Sequence, residues 1–179
     1  RGLRFGAEPK LLADLAGKPL VRHVAEAACA SRAVPVLAVV GHEAERVRRA
    51  LDGLSVRIVD NPAYAEGLST SLKAGFAALP PTTEAALVLL GDMPRVGAPL
   101  IDALIDAWSA AGRPAALVPT HDGRRGNPAI LSRGLASAIA ALDGDVGAGP
   151  LLRGRPDVVE WGTPDPAVVQ DVDTEAALR

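Results

Sequence analysis

The residue that most clearly points to chemistry is an aspartate after the chain's most apolar run. Gly91-Asp92-Met93-Pro94 directly follows Ala85–Leu90. If that run is a central strand of an α/β sheet, Asp92 lies in the crevice at the strand's carboxyl end, where such sheets bind ligands. Magnesium is usually held by one or two carboxylates together with substrate phosphates. The sequence therefore predicts a metal ligand at Asp92, with a proline-ended turn as the alternative.

The chain opens with a basic, glycine-containing loop. Gly2 and Gly6 let backbone amides approach an anion, and the charges of Arg4 and Lys10 can neutralise a triphosphate. The spacing is not that of a Walker A loop. The alternative is a solvated basic terminus. Because no structural element precedes this loop, we expect the full protein to carry a strand before it.

A third pattern, Gly67-Leu68-Ser69-Thr70-Ser71-Leu72-Lys73-Ala74-Gly75, predicts the start of a helix. Ser69 is expected to cap this helix, so that its first amides face a ligand. Ala74 and Gly75 are small enough for a flat base to lie against the backbone. The alternative is a plain serine cap followed by a packing face of small residues.

A basic turn precedes the strand predicted at residues 128–131. Its charges and glycines can clamp a phosphate of a second substrate, or the turn is a solvated hairpin. The candidate acceptor-binding residues here are Arg124, Arg125, Gly126 and Asn127.

Two further aspartates lie in loops near predicted strand ends. Asp145, within Gly144–Gly149, is placed to start a short helix. Asp173 follows the strand predicted at residues 168–172, and parallel strands gather their carboxyl ends at one edge. We therefore expect Asp173 and Asp92 to share one magnesium ion, with their nearest oxygens roughly 3–4 Å apart. The alternative makes Asp173 only a helix cap.

The elements that must position these residues alternate between short apolar runs and segments of helical period. This order predicts βαβ units, a sheet with helices on both faces, and one domain over residues 1–179. The predicted strands are Val34–Val40, Val56–Asp60, Ala85–Leu90, Ala115–Pro119, Pro128–Leu131, Val158–Trp161 and Val168–Val172. Pro19 is predicted at the first position of a helix.

Composition excludes several classes of function. The formal net charge of -2 disfavours a general nucleic-acid binder. Cys29 is the only cysteine, so neither an intramolecular disulfide nor a cysteine zinc cluster can form. The apolar runs are far shorter than the roughly 20 residues that span a membrane. We therefore expect a cytoplasmic protein without membrane or nucleic-acid partners.

Taken in order, these motifs resemble the molybdenum cofactor cytidylyltransferase family, within the wider group of molybdopterin nucleotidyltransferases. The resemblance covers nearly the whole chain, and the ordered set is far more specific than any one motif. The matching segments are Arg4–Leu12, Leu15–Leu20, Gly41–Glu43, Asn61–Leu72, Gly91–Pro94, Arg124–Pro128, Gly144–Ala148 and Asp171–Thr174. The family's opening strand and its L-A-A-G segment are absent from this sequence.

The resemblance implies a Rossmann-like three-layer α/β domain with a mixed, mostly parallel sheet. It also implies magnesium-dependent transfer of CMP from CTP to molybdopterin, with a molybdoenzyme or insertion chaperone as a further partner. Lys10 and Arg4 would bind the triphosphate, Ser69–Gly75 (Ser71 included) would line the base, and Asp92 and Asp173 would hold magnesium. The turns around Arg124 and Asp145 would face the pterin.

Three alternatives to this assignment stay open. A relative in this group can transfer GMP instead of CMP, or act on another phosphorylated small molecule. A chain of this type can also be a non-catalytic carrier of the pterin. A carrier has no need of a metal carboxylate, so the presence of both Lys10 and Asp92 favours an enzyme.

Overall fold

The computed structural model describes residues 9–172 of the chain. The strands are β1 (Asp14–Leu15), β2 (Lys18–Pro19), β3 (Val36–Val40), β4 (Val56–Asp60), β5 (Ala85–Val88), β6 (Ala116–His121), β7 (Arg124–Arg125), β8 (Ala129–Ser132) and β9 (Val158–Gly162). The helices are α1 (Leu20–Ala30), α2 (Ala44–Ala50), α3 (Leu68–Ala77), α4 (Ala98–Ala110), α5 (Ala136–Ala140) and α6 (Gly149–Leu152). Short 3₁₀ turns lie at Lys10–Leu12, Tyr64–Glu66, Arg133–Leu135 and Pro166–Val169.

The strands pair in both directions. β3 and β4 are parallel to each other, and so are β6 and β9. β8 lies between β5 and β6 and is antiparallel to both, while the short β7 is antiparallel to β6. The predicted α/β fold with a mixed sheet is confirmed. The pairings of β7 and β8 make the described sheet less parallel than expected.

Strands β5, β6, β7, β8 and β9 form one five-stranded sheet, and helices cover both of its faces. Because side chains alternate in direction along a strand, each strand can pack against helices on either face. In β6, Leu117 packs towards α4, while Ala116 and Val118 pack towards the opposite face. The α4 face is filled by Leu100, Ile101, Leu104 and Trp108. The opposite face is filled by Phe76, Leu135, Ile139 and Leu152, from α3, α5, α6 and the turn before α5. Within residues 9–172, no helix is long and apolar enough to cross a membrane.

Helix α1 packs between strand β3 and the cluster around α4. Its Val21 and Ala25 pack with Val40 of β3, whereas its Ala27 packs against the α4 cluster. Most residues of β3 and β5 are only half-buried, although both strands are entirely apolar. Among the described residues each of these strands has a partner on one edge only, which leaves the other edge uncovered.

Several predicted boundaries are wrong by one or two residues, β5 ending at Val88 among them, and the largest difference lies at residues 168–172. The strand predicted at residues 168–172 is instead the 3₁₀ turn Pro166–Val169 and an extended segment, because Asp165 caps the turn by accepting from the Ala167 amide. β3 begins at Val36, after Pro35, which has no amide hydrogen to donate. Pro19 is the residue before α1 and not its first residue.

A substitution at Gly126 can test how tightly the connection between β7 and β8 packs. A Cβ there would overlap the carbonyl oxygen of Val168 and lie 2.7 Å from its carbonyl carbon, and both are backbone atoms that cannot rotate away. We expect Gly126→Ala to lower the free energy of unfolding by about 1–3 kcal/mol, measured by urea titration. Gly149→Ala is the control, because no described atom lies within 4 Å of its added Cβ. Equal midpoints for the two variants would contradict this packing.

Candidate active site

An ion pair joins two of the predicted catalytic residues across 82 positions of sequence. The Lys10 ammonium donates to Asp92 Oδ2 at 2.7 Å, and the two side chains are 16% and 23% exposed. This partial burial strengthens the attraction compared with a pair in open water. The structure therefore brings the basic residue of the opening loop directly to the carboxylate that follows β5.

The loop after β5 fixes Asp92 from both sides. Met93 and Val96 are buried in the α4 core, and the Met93 amide donates to the Leu90 carbonyl. On the other side, a Cβ at Gly91 would lie 3.1 Å from a methyl group of Leu11. The 3₁₀ turn Lys10–Leu12 can approach this closely because residue 91 has no side chain.

The same 3₁₀ turn also packs near the end of β3. Leu12 packs against the buried cluster that contains Val40, the last residue of β3. After this strand, the exposed His42 ring lies 6.0 Å from the ring of Tyr64, which follows β4 and is 45% exposed. The 3₁₀ turn thus lies between the loop after β5 and the cluster at the end of β3.

The chain returns to Asp92 near the end of the described range. The Val172 amide donates to the Asp92 carbonyl oxygen at 2.9 Å, and the Val172 side chain is buried with Ala13 and Leu20. Asp173, the predicted second metal ligand, follows Val172 in sequence but lies outside the described residues. Its sharing of a metal with Asp92 stays a prediction. The predicted roles of Gly2, Arg4 and Gly6 likewise lie outside them.

Two neighbouring cavities open beside this returning segment. One, of about 300 Å³, is lined by Arg95, Val169, Gln170, Asp171 and Val172. The other, of about 170 Å³, shares Val169 and Asp171 and is also lined by the turn of residues 124–127. Arg95, which donates to Gln170 Oε1 at 3.0 Å, was not among the predicted site residues. Its position directly after the Gly91–Pro94 motif was the available signal.

The basic turn is a β-hairpin, as the alternative interpretation proposed, and it also borders the smaller cavity. Arg125 pairs with Glu160 at 2.7 Å, so its charge is used within the fold. Arg124 lies on the exposed β7 and has no ion pair with any residue in the described range. Asn127 is held by its amide, which donates to the Val168 carbonyl at 2.7 Å. Arg124 is therefore the better placed of the two arginines to meet an anion.

The predicted cap of α3 is wrong. Gly67 precedes the helix, and Ser69 lies inside its first turn, fully buried, with a hydroxyl that has no partner among the described residues. The amides of Leu68 and Ser69 are not open to a ligand, because they donate to Asp145 Oδ1 and to the Gly144 carbonyl. Asp145 does not start a helix, since α6 begins at Gly149.

A buried asparagine that the sequence analysis did not identify holds the N-terminal part of the same helix. Asn61 is 4% exposed and donates through Nδ2 to the hydroxyls of Thr70 and Ser71, at 2.8 and 3.0 Å. Gly75 faces the sheet, where an added Cβ would lie 3.3 Å from Val39. The small size of Gly75 thus serves helix–strand packing, which was the alternative interpretation.

Comparison with known proteins places the chain in a defined group. The model of the MobA-like NTP transferase domain family matches residues 1–159. The 3-deoxy-manno-octulosonate cytidylyltransferase of Anaeromyxobacter dehalogenans is 40% identical over 114 residues, which cover 64% of this chain and 46% of that protein. The chain spans about a quarter to a half of the length of the curated relatives it matches.

A solved structure resembles the fold over nearly all of this chain. Rv0371c from Mycobacterium tuberculosis H37Rv has a TM-score of 0.81 and 27% identity, covering 99% of this chain and 90% of its own. The structure of Rv0371c in complex with manganese has a TM-score of 0.73 and 26% identity, covering 87% of this chain and 81% of its own.

The Lys10–Asp92 pair can be tested by a double-mutant cycle in metal-free buffer. We expect the unfolding free energies of Lys10→Met, Asp92→Asn and the double variant to give a favourable coupling of about 1 kcal/mol, because the pair is partly shielded from solvent. The more exposed Lys18–Glu26 pair, at 2.8 Å, is the control and should couple less. A coupling at Lys10–Asp92 no larger than at the control pair would contradict the shielding.

Proposed function

The chain belongs to the MobA-like NTP transferase family, and from this premise we propose that it transfers a nucleoside monophosphate from an NTP to a phosphorylated small molecule, with a divalent metal. The observation that carries the proposal is the contact between Lys10 and Asp92. It joins a triphosphate-neutralising residue to a metal-binding carboxylate at the ligand-binding edge of the sheet. A protein that merely carried a ligand would have no use for this combination.

The carboxylate of Asp92 fits a magnesium or manganese ion. It is partly exposed, it lies in the loop after β5, and magnesium needs only one or two carboxylates when substrate phosphates supply further oxygens. Within residues 9–172, no group of three acidic, histidine or cysteine residues could hold a metal ion by itself. The manganese complex of the similar Rv0371c supports a divalent ion. Asp173 is the proposed second ligand.

When bound, the ion would neutralise phosphate charge and help to orient the donor. The chain's own residues bind the phosphates and stabilise the leaving group. Lys10, together with Arg4 of the opening loop, holds the β- and γ-phosphates and stabilises the charge of the departing pyrophosphate. The Lys10 ammonium, which contacts Oδ2 of Asp92, would then donate to the triphosphate, and the Asp92 carboxylate would hold the ion.

The transfer needs no covalent enzyme intermediate. An oxygen of the acceptor phosphate attacks the α-phosphorus in line, a new P–O bond forms, and the bond to the pyrophosphate breaks. The acceptor must therefore bind opposite the leaving group. We place its phosphate beside Arg124, Gly126 and Asn127, on the side of the two cavities. Arg125 acts there by holding the hairpin to Glu160.

We propose CTP as the donor and molybdopterin as the acceptor. The choice of CTP is supported by the resemblance of Gly67–Leu72 to the cytidylyl branch and by the 40% identity to a cytidylyltransferase over 114 residues. The choice of molybdopterin rests on the ordered motifs alone. GTP, or another phosphorylated acceptor, is the runner-up within the same chemistry, and a non-catalytic pterin carrier is the alternative outside it.

Removing the Asp92 carboxylate should abolish metal-dependent transfer. We expect Asp92→Ala to lower the rate of pyrophosphate release with CTP and molybdopterin by at least about 100-fold, since a lost metal ligand costs several kcal/mol of transition-state stabilisation. The assay is run across the four NTPs, with and without molybdopterin. Asp52→Ala is the control, because Asp52 is an exposed aspartate after α2. A rate within about twofold of wild type for Asp92→Ala would remove Asp92 from the mechanism.

Nucleotide preference can be measured by titration calorimetry with CTP and GTP in the presence of magnesium. We expect tighter binding of CTP, because the residues around Ser69 and Ser71 match the cytidylyl branch. The sample must include the opening loop, since this loop carries the predicted triphosphate ligands. Equal or tighter binding of GTP would favour the guanylyl alternative.

A further inference from the structure

Two segments far apart in sequence interlock at the start of α3. The Leu68 amide donates to Asp145 Oδ1 at 3.2 Å, and the Ser69 amide donates to the Gly144 carbonyl at 3.3 Å. Asp145 is 77 residues from Leu68 in sequence. The first turn of a helix has amides without partners inside the helix, and here the loop supplies two of them.

Close backbone packing holds these segments in place. A Cβ at Gly67 would overlap the Gly144 carbonyl group and lie 2.7 Å from the Asp145 amide nitrogen. Gly67 also has a φ of +127°, a backbone conformation that residues with a Cβ rarely adopt. A Cβ at Gly147 would lie 3.4 Å from a methyl group of Leu68. The loop thus touches the helix through hydrogen bonds, backbone and side chain.

The carboxylate of Asp145 is therefore turned towards the start of α3. A negative charge at a helix N-terminus is stabilised by the free amides and by the helix dipole. The side chain does what a cap normally does, but it is contributed by a different loop. The turn that it fixes begins at Leu68 and leads to Ser71, a residue of the segment proposed to line the nucleotide.

We propose that Asp145 is a positioning residue, which holds the first turn of α3 in the geometry that binds the nucleotide, and that it is not a ligand of the acceptor. This inference rests on the proposed function, since it assigns the nucleotide to α3. The loop continues into α6, whose Leu152 is buried with Leu135 and Ile139. Because it is anchored in this way, the loop of residues 144–149, which was predicted to face the acceptor, supports the helix that is proposed to bind the nucleotide.

The test compares Asp145→Ala with Asp145→Asn. Asparagine keeps an oxygen that can cap the helix but has no charge, so it should rescue the wild-type behaviour to within about threefold. Glu66→Ala is the control for a lost negative charge, because Glu66 lies beside the helix start and its exposed side chain has no hydrogen bond or ion pair in the described range. Each variant is measured by hydrogen exchange of the Leu68 and Ser69 amides and by CTP titration with magnesium.

We expect Asp145→Ala to speed exchange of these two amides, and to raise the Kd of CTP, by about tenfold each, the effect of losing a helix cap. The KM of the acceptor should change little. Unchanged exchange and CTP affinity, with a raised acceptor KM in both variants, would overturn the proposal and make Asp145 an acceptor ligand. Failure of the wild-type chain to bind any NTP would instead overturn the proposed function, and the exchange result would still show whether Asp145 caps α3.

Discussion

The contact between Lys10 and Asp92 is the constraint on which the arrangement of the site depends. It ties the first described turn of the chain to the loop after β5, two segments with no backbone hydrogen bond between them in the described range. Opposite charges held at 2.7 Å in a partly shielded position attract more strongly than at the surface. Under the proposed function, these two groups would bind the triphosphate and the metal. The ion pair therefore holds both proposed ligand groups at one place in the fold.

Two segments of the proposed site are fixed by different means. The segment after the Pro166–Val169 turn is fixed by backbone hydrogen bonds, from Val172 to Asp92 and from Asn127 to Val168. The start of α3 is fixed by the carboxylate of Asp145 and by glycines that allow two backbones to touch. Because main-chain groups form most of these contacts, the shape of the site depends more on glycine positions than on side-chain identity.

The sequence predicted the parts of this structure that depend on local pattern. The place of Asp92 after an apolar strand, and the helices on both faces, follow from periodicity that is visible within each segment. The cap of α3 could not be predicted in this way, because a serine near a helix start is an ordinary cap and nothing near Ser69 points to Asp145. The strand expected at residues 168–172 failed for a similar reason, since Asp165 and Pro166 favour a 3₁₀ turn that apolar content does not reveal. Gly75 was ambiguous from the start, and the position of Val39, 3.3 Å from a Cβ added at Gly75, favours the packing interpretation.

The position of Asn61 shows how the two halves of the proposed nucleotide site are held in register. Its backbone amide donates to the carbonyl of Val40 at the end of β3, while its side-chain Nδ2 donates to the hydroxyls of Thr70 and Ser71 on α3. A buried amide that satisfies this many partners is costly to displace, since each lost partner would leave a polar atom unpaired. The helix start is consequently bonded to the sheet edge through Asn61 and to the distant loop through Asp145. A nucleotide lying along α3 would meet a surface held from both sides before it arrives, which lowers the ordering cost of binding.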